Sequence, residues 1–117
     1  MGFRPHRLAE EIKREVTGML QTELKDPRIS KLASITGVEV SRDLRYAKLF
    51  VSVYGSETEQ EHTLAGLNSA SGFIRAELGK RIRLRYVPEL TFSLDASIQR
   101  GIKLTHLIRE VMEDKKG

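Results

Sequence analysis

The chain has 117 residues, 39% hydrophobic and 31% charged, which allows one hydrophobic core of a soluble class and leaves no room for two. Lys and Arg number 20 against 16 for Asp and Glu, a net charge of +4, and this basic balance favours an anionic partner, nucleic acid being the commonest. Cysteine is absent, which excludes disulfide and thiol chemistry and suits a reducing cytoplasm.

Arg4, Arg7, Glu10, Glu11 and Lys13 break any apolar run near the start, so no secretory leader is expected. No uncharged stretch is long enough to cross a bilayer. Met1-Gly2 would suit myristoylation only with Ser or Thr where His6 stands.

The first predicted element is a helix. Leu8, Ile12, Val16, Met19, Leu20 and Leu24 recur at spacings of three and four, which gathers them on one side. Pro5 suits the first turn, where its missing N–H costs nothing. Gly18 weakens the interior by about 1 kcal/mol relative to Ala. Pro27 pushes Asp26 out of helical geometry, so the helix is expected to end there.

Two strands follow. Thr36, Val38 and Val40 alternate with Gly37, Glu39 and Ser41; then Ala47, Leu49, Val51 and Val53 alternate with Lys48, Phe50, Ser52 and Tyr54. Arg42-Asp43-Leu44-Arg45 is short enough to join them as an antiparallel hairpin. Phe50 and Tyr54 are expected to lie buried under a last helix rather than to stack on bases.

Ser56 and Glu59 have the spacing of a capping box. The helix they open carries Leu64, Leu67, Ile74 and Leu78 inward, and Ala70-Ser71-Gly72 predicts a kink within it. Gly79 to Val87 supports two readings: Ile82 and Leu84 alternate with Arg81, Arg83 and Arg85 as in a strand, yet Ile74, Leu78 and Ile82 continue a helical stripe. Pro88 then opens a strand in which Leu90, Phe92 and Leu94 alternate with Thr91 and Ser93. Asp95 or Ser97 can cap a final helix bearing Ile98, Ile102, Ile108 and Val111, and residues 113–117 are expected to form a flexible tail. This order implies one α+β domain over residues 1–117. Helices cover one face of a three-stranded sheet, and the long crossover leaves the third strand parallel to one of the first two.

Catalytic constellations are missing. His6, His62 and His106 fall in three different elements, so no metal site is expected. Gly79-Lys80 fails as a phosphate loop because Arg81 stands where Ser or Thr must hold magnesium. No spacing pairs acids such as Asp43, Glu89 and Asp95 for acid–base work. The chain reads as a binding protein, with no catalytic residue, no cofactor and no small-molecule substrate.

Positive charge gathers in two places. Lys80, Arg81, Arg83 and Arg85 form the densest run, with Arg75 shortly before it; Arg42, Arg45 and Lys48 surround the hairpin. Arginine forks match phosphate oxygens in pairs, which makes such clusters candidates for gripping an RNA backbone.

The residues also resemble a known family. Asp26-Pro27-Arg28-Ile29, Val38 to Leu44 and Ala47 to Val53 are similar to the first half of ribosome-binding factor A. Leu67 to Arg75 and Leu78 to Phe92 are similar to its second half in order and spacing, and the likeness runs from about Arg7 to Met112. The resemblance implies a KH-like domain of type II and a helix continuing through about Leu84. It implies a cytoplasmic monomer that binds free 30S subunits, assists late maturation of 16S rRNA and serves adaptation to cold. A permanent ribosomal component is the competing reading, and an RNA-modifying enzyme a third that the missing constellations oppose. Ordinary KH domains clamp single strands with a Gly-x-x-Gly loop. Here Ser69, Ala70, Ser71 and Gly72 occupy that junction, so contact with folded RNA through shape and phosphates is expected, with these four residues in the interface.

Overall fold

A computed structural model of the chain describes residues 4–95. The final helix and tail expected after Asp95 lie outside the described residues.

Helix α1 (Pro5–Thr22) starts with Pro5 in its first turn and buries Leu8, Ile12, Val16 and Met19. Leu20 and Leu24, assigned to the same stripe, are only partly buried. The helix ends before Asp26 is reached. The N–H groups of Glu23 and Leu24 both donate to the Met19 carbonyl, at 2.8 and 2.9 Å, and this shared bond closes the last turn.

Strands β1 (Ala33–Val40) and β2 (Tyr46–Val53) pair antiparallel, and β3 (Glu89–Leu94) pairs parallel to β2, giving a mixed sheet in the order β1-β2-β3. In β2 the predicted alternation is correct: Ala47, Leu49, Val51 and Val53 are buried. In β1 it is corrected. The register steps from Ile35 opposite Val51 to Gly37 opposite Phe50, so Thr36 is the extra residue of a bulge. Ala33, Ile35, Val38 and Val40 therefore lie opposite the buried residues of β2, with Ile35 in the place expected for Thr36. The Thr36 hydroxyl lies 2.6 Å from the Asp95 carboxylate and 3.3 Å from the Phe50 carbonyl oxygen.

Helix α2 (Glu57–Ser69) is capped by Ser56, whose hydroxyl oxygen accepts from the Glu59 N–H at 3.2 Å. The Glu59 carboxylate meets the Ser56 hydroxyl at 3.4 Å, so the reciprocal half of the box goes to a side chain. Helix α3 (Ser71–Arg81) follows after Ala70, whose φ of −85° and ψ of 0° make the predicted kink. The Ile74 N–H still reaches the Ala70 carbonyl at 2.9 Å, which keeps the two helices joined.

All three helices pack on one face of the sheet. Helix α1 lies against β1, and α2 and α3 lie against β3. Leu8, Ile12, Val16, Met19, Leu67, Ile74 and Leu78 join Leu49, Val51, Leu90 and Phe92 in one core. The segment between α1 and β1 is tied to α2 at two points. Thr63, fully buried, accepts from the Ser30 N–H at 3.1 Å. Gly66 lets the backbones approach: a Cβ there would stand 2.7 Å from Ile29 Cγ1.

Candidate nucleic-acid interface

The hairpin tip is stiff because of its local polar chemistry. The Leu44 N–H donates to the Ser41 carbonyl and the Ser41 N–H to the Tyr46 carbonyl, both at 2.9 Å. Leu44 then takes a left-handed φ of 62°, which costs a non-glycine residue about 1–2 kcal/mol. Inside the turn the Asp43 carboxylate accepts from the Ser41 hydroxyl at 2.6 Å and from the Arg45 N–H at 3.1 Å. Those two bonds, the hydroxyl first, hold the Asp43 carboxyl below the usual carboxylate range. Arg42 and Arg45 flank this tip. Both are exposed, Arg45 touches Asp43 only at 3.9 Å, and Arg42 makes no ion pair among the described residues.

The chain after α3 returns along that helix. Ile82 is extended, with φ −110° and ψ 123°, so α3 stops at Arg81 and does not run through Leu84 as the resemblance implied. From there the alternating reading holds in side-chain direction: Ile82 is buried, Leu84 is packed against the core, and Arg83 and Arg85 are exposed. The Leu84 N–H donates to the Ile82 carbonyl at 2.8 Å, a three-residue turn with Arg83 at its apex. Val87 stands against Gly79, Pro88 is fully buried, and the Arg75 guanidinium donates to the carbonyls of Val87 at 3.0 Å and Pro88 at 3.1 Å.

Parallel pairing joins these two basic segments. Because β3 starts beside the start of β2, Glu89 pairs with Tyr46 and the Glu89 N–H donates to the Arg45 carbonyl at 2.8 Å. Arg42 and Arg45 thus share one end of the sheet with the segment carrying Arg83 and Arg85. Arg75 lies one turn after the kink and braces that segment from behind. Ser69, Ala70, Ser71 and Gly72 form the kink itself. Neighbouring Asn68 accepts from the Phe92 N–H of β3, at 3.3 Å.

The other predicted cations stand apart. Lys48 lies on the outer face of the sheet, its Nζ 5.4 Å from the Phe50 ring centre, with Glu39 opposite it in register. Lys80 reaches Glu77 at 3.5 Å. Arg81 was expected on the same side as Arg83 and Arg85, but as the last residue of α3 it points toward α1. It bonds Glu23 and lies 3.6 Å from both Glu15 and Glu77. The Glu23 bond leads the effects that raise its pKa above the usual arginine value. The geometry makes Arg81 a tie between helices. Tyr54 is 84% exposed; the last helix expected to cover it and Phe50 lies outside the described residues.

Among the described residues no group of three His, Cys, Asp or Glu side chains could hold a metal ion. No described helix is long and apolar enough to cross a membrane. Thr63, Gly66 and Asn68 escaped sequence reasoning. Each is a lone small or polar residue in α2, and its partner is remote in sequence.

The sequence pattern of the ribosome-binding factor A family matches residues 4–108. The chain belongs to the ribosome-binding factor A family. A ribosome-binding factor A from Acetivibrio thermocellus is 58% identical over 114 residues, covering 97% of this chain and 93% of that one. The crystal structure of ribosome-binding factor A from Thermus thermophilus superposes with a TM-score of 0.68 at 28% identity, covering 79% of this chain and 97% of that one. A homology model of the Thermus thermophilus factor, fitted into the cryo-EM map of a 30S complex, matches with a TM-score of 0.65 at 30% identity, covering 78% of this chain and 93% of that one. In this member of the family, Asp26-Pro27-Arg28-Ile29 has a structural task. Asp26 holds Arg28 through its backbone N–H at 2.9 Å and its guanidinium at 2.7 Å, and Ile29 then seats over Gly66.

Proposed function

We propose that this protein is a maturation factor of the small ribosomal subunit. It binds free 30S subunits, holds 16S rRNA during its late folding and processing, and leaves before the complete ribosome forms. The observation that carries this reading is that the segment bearing the exposed Arg83 and Arg85 enters the sheet at Glu89, beside Arg45 and the hairpin that also carries Arg42. Four exposed guanidiniums on braced backbone suit phosphate oxygens. The fitting of a Thermus thermophilus relative into a 30S complex supports the choice of partner. The kink residues Ser69 to Gly72 extend the RNA-facing surface, Arg75 and Lys80 stand behind it, and Lys48 stands apart on the outer face of the sheet.

The protein acts by binding and not by catalysis, without a cofactor, as a cytoplasmic monomer. Misfolded RNA is held more firmly in the cold, so a factor that favours one RNA fold matters most there. Sedimentation of cell extracts tests the reading: the protein should travel with free small subunits and be missing from complete ribosomes. Equal stoichiometry on both would favour a permanent ribosomal component. Binding to purified small subunits should weaken with salt, the logarithm of affinity falling by roughly 0.7–0.9 per neutralised phosphate for each tenfold rise in salt. Affinity that stays flat would remove phosphate contacts as its basis.

A further inference from the structure

Tyr86 is 76% exposed, while the two residues after it turn inward. Its ring packs against Arg85, whose guanidinium carbon lies 5.6 Å from the ring centre. Leu84 and Pro88 anchor the segment on either side, and Arg75 holds the Val87 carbonyl. The phenol therefore stands on backbone that is already ordered, next to Arg83 and Arg85 and at the same end of the sheet as Arg42 and Arg45. An ordered aromatic with an arginine beside it is what an unpaired base needs: a π surface to stack on and a cation for its phosphate.

The other exposed aromatics lack this setting. Tyr54 lies at the opposite end of β2 and is followed closely by Glu57 and Glu59. Tyr46 pairs across the strands with Glu89. Phe73 precedes Glu77 by one helical turn.

We infer that Tyr86 is a stacking platform for one unpaired nucleotide of the bound RNA, flanked by Arg83 and Arg85 as phosphate partners. This rests on the small-subunit reading and adds to it a single-stranded subsite.

Because the chain contains no tryptophan, Tyr86→Trp places a unique fluorophore at the site. Titration with a single-stranded oligoadenylate should quench it, and inorganic polyphosphate should not. Tyr86→Ala should weaken binding to purified small subunits by about tenfold, the scale of one lost base stack, with the salt slope unchanged. Tyr86→Phe should bind as the parent does. Tyr86→Leu, which keeps apolar bulk without a π face, should bind as Tyr86→Ala does. If Tyr86→Leu restores binding, or Tyr86→Ala binds normally, the stacking subsite is wrong. In that case an Arg83→Ala, Arg85→Ala variant that still loses affinity and salt slope leaves the RNA reading standing. If the parent chain fails to bind small subunits at all, the broader reading falls with it. Thermal melts of each variant should match the parent, and a lowered melt for Tyr86→Ala would assign the ring to the fold instead.

Discussion

The hydroxyl oxygen of Thr63 on α2 accepts the backbone N–H of Ser30, a residue 33 positions earlier, at 3.1 Å. It also lies 3.5 Å from the Arg28 carbonyl oxygen, so one buried side chain serves both polar groups of the docked segment. Thr63→Val keeps the shape and removes both partners. A buried polar group left unpaired costs about 1–3 kcal/mol, and urea denaturation should show a loss of that size with an unchanged m-value.

Gly66 stands under Ile29, where an added Cβ would come within 2.7 Å of Cγ1. Gly66→Ala gains helix propensity of about 1 kcal/mol but forces the segment off α2, and overpacking costs about 1–3 kcal/mol. Net destabilisation is expected. Ile29→Ala in the same chain makes room, so the double variant should be more stable than the sum of the two single losses, which a double-mutant cycle by denaturation measures.

Arg81 and its neighbours in the basic run should separate by phenotype. Arg81→Glu would place a fourth carboxylate among Glu15, Glu23 and Glu77, so its melting temperature should fall. Arg83→Glu with Arg85→Glu should leave the melt nearly unchanged, since substitutions at such exposed positions usually stay within about 0.5 kcal/mol. The pair should nevertheless abolish detectable binding to small subunits. Lys13→Glu with Arg14→Glu is the matched control, because both residues lie on the exposed side of α1. Equal loss of binding in that control would mean that net charge alone drives association.

Acid should reveal the two capped aspartates. Hydrogen bonds from the Arg28 side chain and then its backbone hold the Asp26 carboxyl below the usual range, as those from Ser41 and Arg45 hold Asp43. Between the folded and unfolded pKa values the unfolded chain binds more protons, so stability rises with pH there. Their contribution is complete above about pH 4 and is lost as pH falls through the folded values. Asp26→Asn with Asp43→Asn should lower the melting temperature at neutral pH and flatten its decline in acid. An acid limb as steep as the parent's would assign that decline to other groups.

Residue order alone determined most of the described element types, because period and punctuation are local, but it left Gly79 to Val87 open between helix and strand. The four-residue hairpin, the kink at Ala70 and the parallel return of β3 all follow from alternation, small residues and connection length. The basic character of the chain and its family motifs were equally plain. Tertiary structure decided the rest. The bulge at Thr36 shows only once β1 is set against β2, since an extra residue breaks no local rule. Arg81, Arg83 and Arg85 look equivalent in sequence, yet α3 ends between the first and second of them. Helical direction sends Arg81 toward the acids of α1, and extended backbone sends the other two to solvent. That ending depends on how Ile82 seats in the core and how Val87 meets Gly79, contacts between residues that local pattern treats as independent.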